Sequence, residues 1–221
     1  MNRPLLLGHR GCRGCRFVEN SLAAFEDALS KGCDGFEFDV RRTLDGSNVI
    51  WHDLKYSGRQ IPQTKYADLV DRFGNHLATF DEVLAQFSHR AYLDIELKTS
   101  GAEEAMVAAV KASPPQRGYI FSSFFLDILE RLHNLDSSLP LGFLGESADA
   151  FDAWRDFPVQ AFLPRRDLID SRLIEAVHKA GRQIITWTVN SSHQMRQLAE
   201  WGIDGLISDD PQLLYQTFHN G

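Results

Sequence analysis

A chain of 221 residues with 43% hydrophobic content can bury one substantial core and falls in the size range of α/β barrels, so a single domain over 1–221 is expected. The formal charge of -7 argues against a nucleic-acid binder, which needs a basic face to displace phosphate counterions. No stretch approaches the roughly 18 apolar residues of a membrane span, and the run Leu5-Leu6-Leu7 is too short for a signal-peptide core; a cytoplasmic protein with no stable membrane anchor is expected.

In chain order, a strand near 5–9 leads to a helix near 21–32 that Asn20-Ser21 can cap and Gly32 can end. A second strand near 34–40 is followed by Asp45-Gly46, which has hairpin-turn chemistry, so Asn48 to His52 is expected to fold back as a short extra strand. That return brings His52 towards Glu37 and Asp39. The stretch 54–78 mixes Tyr56, Gly58, Pro62, Lys65 and Tyr66 without clear period and reads as a long loop over the mouth of the fold. Helices near 79–88, 101–112, 125–134, 147–154, 170–180, 192–201 and 210–218 then alternate with strands near 91–97, 118–122, 140–144, 159–163, 183–188 and 204–208. Asp170 and Ser192 are candidate caps, with Gly181 and Gly202 closing the same helices. Eight strands, each followed by a helical stretch, predict a (β/α)₈ TIM barrel with a short inserted hairpin and loop after strand two.

Polar residues gather at the downstream ends of the apolar runs: His9-Arg10-Gly11, Glu37-Phe38-Asp39, His52-Asp53 and Asp94-Ile95-Glu96-Leu97-Lys98. In a barrel these ends meet on one face. Residues two apart on a strand share a side, which pairs Glu37 with Asp39 and Glu96 with Lys98, with Asp94 behind them. Three oxygen donors without an accompanying thiolate or histidine set suit a divalent Mg²⁺ or Ca²⁺. A Glu-x-Asp pair can equally be a surface pair, and Lys98 can simply balance Glu96. The apolar flanks Gly35-Phe36 and Val40 favour a buried strand, where unpaired charges need a compensating cation. His76, His89, His133, His178, His193 and His219 fall on predicted helices or loops and read as surface residues. Cys12-Arg13-Gly14-Cys15 lies in a loop after a strand with no second cysteine pair, and reduced thiols are expected there.

The ordered set His9-Arg10-Gly11, Glu19-Asn20-Ser21, Glu37-Phe38-Asp39-Val40, Asp45-Gly46 to His52-Asp53, Ile95-Glu96-Leu97-Lys98, Ser122-Ser123-Phe124, Trp187-Thr188-Val189-Asn190 and Gly202 to Asp209 resembles the glycerophosphodiester phosphodiesterase family over nearly the whole chain. The resemblance implies a (β/α)₈ barrel that hydrolyses a small-molecule glycerophosphodiester to glycerol 3-phosphate and an alcohol. It also implies that Glu37, Asp39 and Glu96 hold the metal and that His9 and His52 are the acid/base pair. Arg10 and Lys98 would contact phosphate, and Trp187 would line the pocket beside glycerol. His9 is provisionally the base and His52 the leaving-group acid; the nucleophile is water or the substrate's own 2-hydroxyl.

The chain departs from the family pattern at Val18, where a proline is usual, in the loop Cys12 to Arg16, and in a compact segment after His52-Asp53. A lysophospholipase D-like or cyclising phosphodiesterase could use the same site, with Phe124, Phe125, Phe143 and Phe162 as candidates for an apolar path. The alternative from another class is a barrel that binds a phosphorylated metabolite without turning it over.

Overall fold

A computed structural model describes residues 3–73, 77–147 and 154–219. Its strands are β1 (Leu5–Gly8), β2 (Gly35–Arg42), β3 (Asn48–Ile50), β4 (Lys55–Tyr56), β5 (Arg59–Gln60), β6 (Tyr92–Leu97), β7 (Tyr119–Ser123), β8 (Leu141–Gly145), β9 (Ala161–Pro164), β10 (Gln183–Thr186) and β11 (Gly205–Ser208). Among the described residues β1, β2 and β6 to β11 pair in parallel in that order, and β11 pairs back with β1 to close the ring. The chain is a TIM barrel, and β3 lies outside the ring, antiparallel to β2. The helices are α1 (Leu22–Ser30), α2 (Tyr66–Phe73), α3 (Phe80–Phe87), α4 (Glu103–Ala112), α5 (Leu126–Leu135), α6 (Ser171–Lys179), α7 (Ser192–Glu200) and α8 (Pro211–His219). The helix expected near 147–154 falls largely on residues outside those described.

Alternation along the strands builds two separate cores. One face of the ring turns inward and buries Leu7, Ile120, Leu144, Ala161, Leu163, Ile185 and Ile207 in a cluster made of strand residues. The other face meets the helices. There Phe25 of α1 stacks on Phe36 of β2 at 4.2 Å between ring centroids, and Phe87 of α3 meets Phe36 edge-on at 5.1 Å. Phe38, flanked by Glu37 and Asp39, joins this outer layer, as their alternation requires.

Helix ends follow the local chemistry. Ser21 caps α1 by accepting from the Ala24 N–H, Thr79 and Glu82 form a reciprocal capping box on α3, and Asp170 caps α6 through Leu173. Ser192 is the first residue of α7 rather than its cap; Ser191 takes that position without a side-chain bond.

The stretch 54–78 differs from the expected loop. It forms the β4–β5 hairpin, a 3₁₀ turn at Ile61–Gln63 and α2. Tyr56, Ile61, Leu69 and Leu77 bury a small core against Val49 of β3, so the segment packs beside the barrel, and none of its described residues lines the central cavity. Its apolar residues are spaced for three short elements in succession, so no single period emerges from the sequence.

The aromatic stack yields a stability prediction. Phe36→Ala should lower the unfolding free energy by about 3–5 kcal/mol, read from urea denaturation. A loss below ~1 kcal/mol would mean that α1 and α3 do not depend on this strand face.

Candidate active site

The parallel ring delivers its strand ends to one rim, and register sets which side chains meet there. Glu37 is opposite Asp94, and Asp39 is opposite Glu96, across β2 and β6. All four are buried, Asp94 completely. Ligand atoms of Glu37, Asp39 and Glu96 lie within 4.8 Å of one another.

β1 ends in a tight turn that presents His9 and Arg10. The Gly11 N–H donates to the Gly8 carbonyl at 3.1 Å, and a Cβ on Gly8 would meet the Gly11 oxygen at 2.0 Å, so this turn needs glycine. Arg10 adopts a positive φ of 51°, and its backbone N–H donates to Glu37 Oε2 at 3.0 Å. Its guanidinium bonds Glu19 at 2.6 Å and brings Nε to 3.3 Å from Asp39 Oδ2. Asn20 donates to Asp39 at 2.7 Å. Lys98 Nζ lies 2.5 Å from Glu96 Oε1 and 3.1 Å from Asp39 Oδ1.

The hairpin brings His52 to this rim, as its turn chemistry predicts. Val40 pairs with Ile50, the Trp51 N–H donates to the Asp39 carbonyl at 3.0 Å, and the His52 carbonyl accepts from Arg41 at 2.8 and 2.5 Å. Its imidazole Nδ1 lies 2.8 Å from Asp53 Oδ1. His9 Nδ1 lies 2.6 Å from Asp209 Oδ1, and its Nε2 is 3.9 Å from Glu37 Oε2.

These groups border a cavity of about 260 Å³ with two unlike sides. His9, Arg10, Glu37, His52, Glu96 and Lys98 line one; Phe124, Leu144, Trp187 and Ile207 line the other, with Glu146 among them. Phe124 and Trp187 meet edge-to-face at 5.5 Å, and the Trp187 indole N–H donates to the Leu163 carbonyl at 2.8 Å. The structure thus brings together His9, Arg10, Glu37, His52, Glu96, Lys98 and Trp187, with Asp39 buried directly behind them. Of the candidate phenylalanines only Phe124 reaches the cavity. Phe143 and Phe162 stack in the outer core, and Phe125 is half-exposed.

Several participants carried no separate signal in the sequence. Asp209, Asn190, Glu19 and Asn20 stand within the family-like motifs, but their roles are pairings between distant strand ends. Ser122 donates to Asp94 at 2.6 Å across neighbouring strands. The remaining described histidines lie away from the cavity, and His76 is outside the described residues. One expectation is corrected: Cys12 and Cys15, read as reduced thiols, form a disulfide, because the Gly14 turn (φ 79°) brings their Cα atoms to 6.0 Å.

Known proteins agree with this architecture. A model of the glycerophosphoryl diester phosphodiesterase family matches residues 9–213. The chain is 28% identical to a glycerophosphodiester phosphodiesterase of Caldanaerobacter subterraneus over 99% of both proteins, and 26% identical to one of Bacillus altitudinis over 93% of this chain and 94% of that protein. It superposes on a Thermotoga maritima glycerophosphodiester phosphodiesterase with a TM-score of 0.85 at 25% identity, covering 98% and 99% of the two chains. A phosphodiesterase of Oleispira antarctica, solved with the product sn-glycerol-3-phosphate, gives 0.83 at 24% identity, covering 97% and 96%.

The donor set fits a divalent cation. Glu37 Oε1 is buried without a hydrogen bond, and Asp39 Oδ1 and Glu96 Oε1 are met by the Lys98 ammonium at 3.1 and 2.5 Å. Burial, then Asp39 and Glu96, push the Glu37 pKa well above the usual carboxylate range. Burial and Asp39 raise Glu96 to about 8, and burial raises Asp94 to about 7. Burial would raise Asp39 as well, but Lys98 and Arg10 outweigh it and hold that carboxyl low.

The raised groups give the metal-free protein a definite pH dependence. Between the ordinary Glu value of 4.5 and about 8, folded Glu96 binds more proton than unfolded Glu96, so metal-free stability falls as pH rises through that window. A divalent cation held by Glu37, Asp39 and Glu96 would take the place of those protons. Added Mg²⁺ or Ca²⁺ should therefore raise the Tm of EDTA-stripped protein markedly at pH 8 and little at pH 5, measured by calorimetry. Glu96→Gln should flatten that difference.

Proposed function

The chain belongs to the glycerophosphoryl diester phosphodiesterase family, and on that premise we propose that the rim cavity hydrolyses glycerophosphodiesters to glycerol 3-phosphate and an alcohol with a divalent cation. The observation that carries this reading is the convergence of two histidines, Arg10, Lys98, Glu37 and Glu96 on one side of a single cavity, with Asp39 buried behind them. Glu37, Asp39 and Glu96 would hold Mg²⁺ or Ca²⁺, which supplies a Lewis acid for the phosphoryl oxygens. The Oleispira antarctica neighbour with sn-glycerol-3-phosphate supports the product assignment.

The chain's own residues then divide the work. Arg10 and Lys98, fixed by Glu19, Glu96 and Asp39, place two positive charges where a diester's anionic oxygens would lie and stabilise charge that grows during displacement. His9 takes the proton of the attacking group, water or the substrate's 2-hydroxyl, and His52, on the hairpin, gives a proton to the departing alkoxide. Phe124, Trp187 and Leu144 form an apolar wall for the carbon skeleton and keep water from the side of the phosphate they cover. The small volume and the outward packing of Phe143 and Phe162 favour water-soluble diesters over acylated ones. No helix among the described residues is long and apolar enough to cross a membrane.

Release of glycerol 3-phosphate from a panel of glycerophosphodiesters tests the reading. Turnover should stop with EDTA and return with Mg²⁺ or Ca²⁺, and His9→Ala and His52→Ala should each lower kcat by roughly 10²–10⁴-fold. Metal-independent turnover, or full activity in either histidine variant, would sink the mechanism. Tight binding of glycerophosphocholine with no product would favour a binding barrel instead.

A further inference from the structure

We propose that Asp209, oriented by Asn190, is a positioning residue that fixes His9 as the proton acceptor of the reaction; the inference rests on the diesterase reading of the rim. The starting point is ring closure. β1 pairs with β11 so that Gly8 faces Ser208, and the His9 N–H donates to the Ser208 carbonyl at 2.8 Å. That register sets the side chains after each strand, His9 and Asp209, next to one another, with Nδ1 and Oδ1 2.6 Å apart.

Proton positions follow from the surrounding bonds. The Asp209 backbone N–H donates to Asn190 Oδ1 at 2.9 Å, and Ser208 Oγ contributes a second bond to the same oxygen at 3.0 Å. A backbone N–H can only donate, so the oxygen of the Asn190 amide is identified and its NH₂ must be the group 2.6 Å from Asp209 Oδ2. Asp209 thus receives one donor on Oδ2 and presents Oδ1 as an acceptor to His9. Burial would raise the Asp209 pKa, but the bonds from His9 and Asn190 outweigh it and keep the carboxylate ionised. Neutral His9 therefore carries its proton on Nδ1 and turns the Nε2 lone pair towards the cavity, on the Glu37 side. An imidazole in this tautomer accepts a proton at the site, and Asp209 stabilises the cation that results.

His52 is held differently. Its partner Asp53 follows it directly in the chain, has a side chain 69% exposed, and among the described residues has no second side chain holding it as Asn190 holds Asp209. The two histidines are accordingly unequal in preorganisation, which is how an acid and a base can be told apart at one site.

Asp209→Asn tests the assignment. Asn190 would still donate to the new amide oxygen, leaving an NH₂ to face His9 Nδ1 and forcing the proton onto Nε2. On a glycerophosphodiester with an alkyl leaving group, kcat should fall at least ~10²-fold with KM changed less than ~3-fold. The same loss should persist on a p-nitrophenyl diester of glycerol phosphate, whose leaving group needs no acid, whereas the loss in His52→Ala should largely vanish on that substrate. Mg²⁺ affinity by calorimetric titration should match the wild type, as it would not if the variant merely disordered the rim. Asn190→Ala should show a smaller loss, about tenfold, again not relieved by the activated leaving group, and carries the test if Asp209→Asn does not fold. Wild-type kcat in Asp209→Asn, or relief of its loss by p-nitrophenol as for His52→Ala, overturns the inference while the diesterase reading stands. A wild-type protein that cleaves neither substrate with either cation overturns both.

Discussion

The excess of buried negative charge at the strand ends is the constraint on which the rest of the rim depends. Glu37, Asp39 and Glu96 are sunk where solvent cannot hydrate them, and β2 and β6 are locked in a register that holds them together. Two cations, Arg10 and Lys98, are drawn into the cluster, and Glu37 Oε1 still lacks a hydrogen bond. Isolated buried carboxylates would neutralise by taking up protons. Here that tendency shows in the raised Glu37, Glu96 and Asp94, and it is the property that would let the cluster hold a cation. A divalent cation bound among these carboxylates would relieve the same electrostatic frustration that raises them.

The scaffold tolerates this load because its hydrophobic cores lie elsewhere. Phe25, Phe36, Phe38 and Phe87 pack β2 against α1 and α3 on the face opposite Glu37 and Asp39. A strand with charges on one face and stacked aromatics on the other cannot slip by a single residue without exchanging them. The aromatic layer therefore fixes the carboxylates indirectly, and a change in that layer would reach the site through register rather than contact.

Much of this was legible from the sequence because both strand alternation and helix capping act over a few residues. The pairing of Glu37 with Asp39, the isolation of Phe38 and the return of His52 through Asp45-Gly46 each follow from local periodicity or turn chemistry. What the sequence hid has two causes. Asp209 is about 200 positions from His9 and acquires meaning only when β11 closes on β1. The Cys12–Cys15 disulfide depends on the path of one glycine turn, and the 54–78 segment on short elements whose periods cancel. The first is set by closure of the ring; the other two are local but carry no period that marks them in the sequence.

Closure also explains why the two sides of the cavity differ. On one side of the seam β1, β2 with its β3 hairpin, and β6 carry His9, Arg10, Glu37, His52, Glu96 and Lys98, whereas β7 to β11 bring Phe124, Leu144, Trp187 and Ile207, with Glu146 after β8. On the proposed function, a diester bound between them would have its phosphate drawn to one wall and its carbon skeleton to the other, and the barrel would orient it before any proton moves. Asp209 and Asn190 follow the apolar strands yet act on the charged side, reaching across the seam to His9. The seam is thus where an otherwise divided rim is coupled: ordering of β10 and β11 is transmitted through Asn190 and Asp209 to the His9 imidazole.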